Sequence, residues 1–178
     1  GAPIPNDAFG VVPAGTAPYI AVALFTATTN GEWARFTVDH RALSVPCDEA
    51  TPLSDDGTWP LDSATLSARL TPEDFGDCTG YSADGDEAVG AITLGDGDVL
   101  DAELEPDGDA DISLYLLTGC LVGTATCVAG LDDSSGGFAE SIRYTHAGAD
   151  QTFYLVADSY STSPYSATLR WTVTRAGQ

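Results

Sequence analysis

Asp107, Asp109 and Asp111 stand at alternate positions in the run Asp107-Gly108-Asp109-Ala110-Asp111. Oxygen donors at such spacing suit a hard cation like calcium, which gathers about six to eight of them. The run is not an EF-hand: Ile112 stands where that loop requires Gly, and Thr118 stands where its closing Glu should be. Asp132 and Asp133, with Glu140, form a second carboxylate cluster of the same chemical type. The competing reading makes all of these turn residues that cap their own backbone, with their charge in water.

Cys47, Cys78, Cys120 and Cys127 make an even set with no Cys-x-x-Cys spacing and no His neighbour, which argues against zinc. The chain has no Lys and no Met and is rich in Asp, Thr, Ser and Gly. That composition favours a secreted, extracellular location and two disulfides. Three pairings are open. Cys120–Cys127 would staple one local loop, whereas Cys47–Cys78 would close about thirty residues and remove roughly 3 kcal/mol of unfolded-state entropy.

Residues for catalysis are present without an arrangement. The two histidines, His40 and His146, have no metal-ligand spacing, and Gly80-Tyr81-Ser82-Ala83-Asp84 fails the nucleophile-elbow pattern at its last position. The 27 acids supply many carboxylate pairs of the kind a glycosidase needs, and nothing in their spacing singles one out. No catalytic residue is assigned.

The net charge is −21, from 27 acids against six Arg. Nucleic acid and anionic membrane both require a positive face, so neither is an expected partner. No apolar run is long enough for a membrane-spanning helix, and no membrane insertion is expected. The charge is concentrated: residues 48–111 hold 14 Asp, 5 Glu and one Arg, a net of −18. Asp exceeds Glu by 20 to 7. An acidic, lysine-free surface of this kind also suits salty water, which accounts for the charge with no site at all.

The elements that must position these residues are strands. From Tyr165 to Val173 the residues Tyr165, Ala167, Leu169, Trp171 and Val173 alternate with Ser166, Thr168, Arg170 and Thr172, the period of a strand with one wet face. The runs 112–117 and 152–157 are more continuously apolar, as central strands are. Turn formers such as Gly95-Asp96-Gly97 and Pro106-Asp107-Gly108 separate the runs. Nine strands are predicted, near 19–27, 32–38, 64–70, 88–94, 98–105, 112–117, 140–145, 152–158 and 166–174. The class is all-β, an antiparallel β-sandwich of jelly-roll type.

From Cys47 onward the chain resembles the bacterial pre-peptidase C-terminal domain, a β-sandwich module appended to secreted peptidases. The likeness rests on Cys47-Asp48-Glu49-Ala50-Thr51-Pro52-Leu53, on Asp109-Ala110-Asp111-Ile112-Ser113-Leu114-Tyr115-Leu116, on Glu140 to Thr145, on Phe153 to Tyr160 and on the closing strand Tyr165 to Val173. It departs at Ala157, where the family often has Val. Pro5-Asn6-Asp7-Ala8-Phe9 and Gly31 to Val38 look like a second copy of the family's opening. Residues 1–46 are therefore either an N-terminal hairpin added to the sandwich of residues 47–178 or a fragment of a preceding copy. An isolated front half would expose Trp33 and Phe36, which favours the hairpin.

The family is similar to the collagen-binding domains of clostridial collagenases. That similarity implies calcium near an Asn-Asp opening, here Asn6 and Asp7 or Asp48 and Glu49. It also implies tyrosines that grip a protein or glycan, here Tyr115 and Tyr154 on one sheet face with Tyr160 and Tyr165 in the following loop. The competing reading buries both faces of that sheet and puts these tyrosines in the core. The function implied is a non-catalytic accessory module that tethers its parent secreted enzyme to an extracellular protein or glycan, with calcium as its cofactor. The alternatives are a small secreted hydrolase using a carboxylate pair, and a purely structural adhesin or spacer repeat.

Overall fold

The longest alternating run in the sequence becomes a strand at Ser166–Thr174 in the computed structural model of the chain. Residues 46–66, 70, 72–76, 78–83, 85–120 and 125–177 are described, all within the unit Ala42–Gln178. The strands expected near 19–27 and 32–38, the pair Asn6 and Asp7, and the relation of residues 1–46 to the sandwich lie outside the described residues.

Nine strands are present among the described residues: β1 Thr51–Pro52, β2 Asp56–Asp62, β3 Ala88–Leu94, β4 Val99–Pro106, β5 Ile112–Leu117, β6 Cys127–Leu131, β7 Glu140–Thr145, β8 Gln151–Ser159 and β9 Ser166–Thr174. They form a β-sandwich of two sheets, ordered β1-β3-β8-β5-β6 and β2-β9-β4-β7. All pairings are antiparallel except β1 with β3, which is parallel.

Burial follows the alternation. In β9, Ala167, Leu169 and Trp171 point inward, while Arg170 and Thr172 face solvent. With Leu100, Leu104, Leu114, Leu116, Phe153 and Leu155 they fill the space between the sheets. The continuous apolar run in β5 has a different cause. Ile112, Leu114 and Leu116 face that core, while Tyr115 and Leu117 face a second apolar layer with Leu70, Phe75, Cys120 and Val156. Both faces of the five-stranded sheet are thus covered around β5.

Two disulfides hold this outer layer: Cys47–Cys120 and Cys78–Cys127. Neither the local pair Cys120–Cys127 nor Cys47–Cys78 forms. Thr118 and Thr126 already close the local loop through a 3.0 Å backbone hydrogen bond, which leaves Cys120 and Cys127 to reach different segments. The bridges span 73 and 49 residues. In the chain-entropy account each removes about 4 kcal/mol of unfolded-state freedom.

Besides the short strand β1, which no expected strand covers, three elements depart from expectation. Where a strand was expected near 64–70, Ser63–Thr65 is a 3-10 turn whose preceding residue, Asp62, accepts from the Ala64 N–H at 3.0 Å; residues 67–69 lie outside the described residues. At residues 63–65 the capping carboxylate outcompetes extension. β2 was masked in the sequence by Gly57 and Pro60. Both are tolerated because β2 is an edge strand. Gly57 is also required, because a Cβ there would sit 2.3 Å from the Trp171 indole. β6 contains Gly130, where a Cβ would meet the Cys78 carbonyl at 2.4 Å; the nearby bridge draws the two chains together.

Candidate functional site

The strand order brings four loop regions to one end of the sandwich: the end of β2, and the connections β4–β5, β6–β7 and β8–β9. Backbone hydrogen bonds join them. Tyr160 N–H donates to Asp111 O at 3.0 Å, Gly137 N–H to Ala110 O at 3.0 Å, and Asp107 N–H to Ser166 O at 2.8 Å. Ser63 and Tyr165 exchange two more: Ser63 N–H to Tyr165 O, and Tyr165 N–H to Ser63 Oγ at 2.7 Å. Gly136 permits the closest approach, since a Cβ there would lie 2.2 Å from Asp109 O.

Two adjoining features result. The first is an open cleft of about 600 Å3 lined by Asp62, Asp107, Asp109, Asp111, Tyr160 and Tyr165, among others. It unites carboxylates and tyrosines that lie far apart in the sequence. Tyr160 is 53% exposed and presents its ring to solvent. Tyr165 only forms the floor: it is buried, and its hydroxyl donates to Asp86 O at 2.9 Å. Burial pushes its phenol pKa up, with help from the nearby Asp158, Glu87 and Asp86 charges. Asp62 has no periodic or motif signal in the sequence and was missed as a cleft residue.

The second feature lies behind Asp111. Burial is the main force raising the Asp132 carboxyl to about 6, and the charges of Asp111, Glu140 and Asp133 add to it. Glu140 is 1% exposed. Its Oε1 accepts from the Ser134 N–H at 2.8 Å. Its Oε2, like Asp111 Oδ1, is buried with no hydrogen-bond partner. Among the described residues, no three His, Cys, Asp or Glu side chains are already gathered into a metal cage.

The remaining candidates lie elsewhere. Asp48 and Glu49 are exposed in the 3-10 turn Pro46–Glu49, beside the Cys47–Cys120 bridge. Tyr115 is fully buried, so its ring offers no face to a ligand. Its hydroxyl donates to Asp158 Oδ2 at 3.0 Å, while Asp158 Oδ1 accepts from the Ser159 N–H at 2.6 Å. Burial, then the Asp158 charge, drives the Tyr115 phenol well above its ordinary range. Tyr154 is half-buried and packs against the outer apolar layer. The second apolar layer over β5 and β8 seals Tyr115 from solvent and partly covers Tyr154.

His146 is structural. Its Nε2 donates to Ala149 O at 2.9 Å, and its ring packs edge-on against Phe153. Each arginine among the described residues is ion-paired with carboxylates on other parts of the sandwich. Arg143 pairs with Asp101 at 2.8 Å, Arg170 with Glu103 and Glu105, and Arg175 bridges Asp55 and Asp98.

Among solved structures, the chain is similar to the pre-peptidase C-terminal domain of a collagenase from Bacillus anthracis. The identity is 12%, with 70% of this chain and 94% of that one covered and a TM-score of 0.45. It is also similar to PliG from Aeromonas hydrophila, a periplasmic inhibitor of g-type lysozyme. There the identity is 10%, with 70% and 96% covered and a TM-score of 0.44. The first is a domain of the class that the sequence motifs resemble. No protein-family profile and no curated protein matches the chain.

Proposed function

We propose that the chain is a non-catalytic binding module of a secreted protein, which tethers its parent enzyme to an extracellular protein or glycan through the acidic end of the sandwich. The observation that carries this reading is the convergence of Asp62, Asp107, Asp109 and Asp111 with the exposed ring of Tyr160 around one cleft. An aromatic face beside hydrogen-bonding carboxylates can stack on a sugar or hold a basic side chain. The charge favours a basic protein patch and repels anionic glycans. Two disulfides support folding in an oxidising compartment.

The test is a binding array of extracellular matrix proteins and glycans, probed with the intact chain and with Tyr160→Ala and Asp109→Asn. The expected result is a ligand bound by the wild type and lost or weakened at least about tenfold in both variants, the scale of a central contact. A blank array would favour a structural spacer. Turnover of a peptide or glycan substrate that one carboxylate substitution abolishes would replace the module with a hydrolase.

A further inference from the structure

We propose that the acidic end of the sandwich takes the guanidinium groups of an extended, arginine-bearing protein segment, with Phe138 and Tyr160 as its two aromatic contacts. The assignment rests on the tethering role and names the chemistry of the partner. It starts from β5, which lies between β8 and β6. Tyr160 immediately follows β8, and Phe138 lies in the connection that leaves β6. Asp109 and Asp111, on the approach to β5, therefore run between them. Hydrogen bonds fix that order: the Tyr160 N–H donates to Asp111 O, and the Gly137 N–H to Ala110 O, each at 3.0 Å.

Both aromatic side chains stand in solvent. Phe138 is 63% exposed and Tyr160 is 53% exposed; among the described residues, Tyr81 is the other large aromatic side chain so placed. Their segments are pinned by backbone bonds, so a ligand would pay little to order them. Two chain spacings of about 4.8 Å set the two segments about 10 Å apart. Three residues of an extended partner, at about 3.3 Å each, cover that distance.

The charge between the rings selects the occupant. Asp107 and Asp109 are exposed, and with Asp62 and Asp111 they line the cleft, whose lining holds no basic side chain among the described residues. Phe138 has no hydrogen-bonding group, so its ring serves stacking or apolar contact alone. Guanidinium meets both demands: it is planar and weakly hydrated, it stacks on an aromatic ring, and its fork of donors meets a carboxylate bidentately. The lysine ammonium is a compact, strongly hydrated point charge and fits the pair of demands less well. An uncharged sugar could stack on Tyr160 but would gain nothing from the carboxylate charge.

The experiment is a fluorescence-anisotropy titration of the intact chain into a dye-labelled peptide, Gly-Arg-Gly-Gly-Arg-Gly, at an ionic strength of about 0.15 M. Its two arginines are spaced to match the two rings. The expected result is saturable binding, weakened about two- to fivefold in Phe138→Ala, in Tyr160→Ala and in Asp109→Asn, the scale of an exposed cation–π contact. Phe138→Ala changes no charge and alters an exposed side chain, so it tests the ring without unfolding the chain. Asp48→Asn removes one charge from an exposed position outside the cleft and should leave binding unchanged. The same peptide with lysine for arginine should bind at least about threefold more weakly. Absence of saturable binding overturns the assignment, and so does binding indifferent to both aromatic substitutions. Equal weakening by Asp48→Asn would reduce the effect to diffuse attraction, and equal affinity for the lysine peptide would remove the guanidinium; either result also overturns it. If the peptide fails while an array ligand such as an uncharged glycan is still lost in Tyr160→Ala, the tethering role stands with a different partner. Peptide binding beside a blank array would support the arginine assignment and count against tethering to matrix proteins or glycans.

Discussion

Asp98 shows what a carboxylate does in this protein when it is fully partnered. Its Oδ1 accepts from the Ala176 N–H at 2.8 Å, and its Oδ2 accepts from the Gly95 N–H at 2.8 Å and from Arg175 at 2.6 Å. The two backbone donors, then the arginine, hold its pKa at about 2, below the ordinary 3.8. A depressed acid stabilises the fold above its ordinary pKa, and that contribution disappears as pH falls through the native value. Asp98→Asn should therefore lower the melting temperature at neutral pH. The difference from wild type should shrink below pH of about 4 and vanish near about 2, as thermal melts across that range would show. A gap that stayed constant down to the acid end would contradict the assignment. Gly57 gives a second residue-scale expectation. Gly57→Ala would force a methyl into the Trp171 indole and should destabilise by about 1–3 kcal/mol, the usual cost of overpacking, measured by urea denaturation followed through tryptophan fluorescence.

Among elements, the outer apolar layer depends most on covalent support. Phe75 and Leu70 lie on segments with little regular structure, yet they bury Tyr115, Leu117 and Val156 on the outer face of the five-stranded sheet. Cys78–Cys127 fastens the segment after Phe75 to the start of β6, and Cys47–Cys120 fastens the turn Pro46–Glu49 beyond the end of β5. Mass spectrometry without reductant should show a mass four hydrogens below that of the reduced chain. Reduction should cost about 4 kcal/mol per bridge in the chain-entropy account, read as a lower denaturation midpoint. Unchanged stability on reduction would mean that the layer holds by packing alone. By contrast, the outer face of the four-stranded sheet carries the ion pairs Asp101–Arg143 and Glu105–Arg170. Both are exposed, and each pair of that kind contributes only about 0–1 kcal/mol.

For the whole molecule, the net charge of −21 dominates. Self-repulsion of the acids opposes compaction and is screened within about 10 Å at moderate ionic strength. The melting temperature should therefore rise as sodium chloride is added from low concentration. Attraction of the acidic cleft to a basic partner should weaken over the same range, because screening acts on both. Measuring melting and partner affinity along one salt series separates the two. A flat melting curve would mean that the charges are already neutralised by bound ions.

Much of the fold was legible because its signals are local. Six of the expected strands, from 88–94 through 166–174, lie within a residue or two of β3, β4, β5, β7, β8 and β9, since alternation records which face of a strand is buried. The parity of the cysteines likewise announced two bridges. β2 and β6 were hidden because Gly57 and Gly130 are there for contacts with Trp171 and Cys78, neighbours that no sequence window contains. The carboxylates of 107–111 and of 132–140 were recognisable as two clusters, and Tyr160 as a loop aromatic. Their meeting at one corner follows from β5 lying between β8 and β6, and β4 between β9 and β7. Strand order is set by long-range pairing and by the burial of two sheets against each other. It alone decided which cysteines join, which tyrosines are sealed under the outer layer, and which acids must share a single pocket of charge.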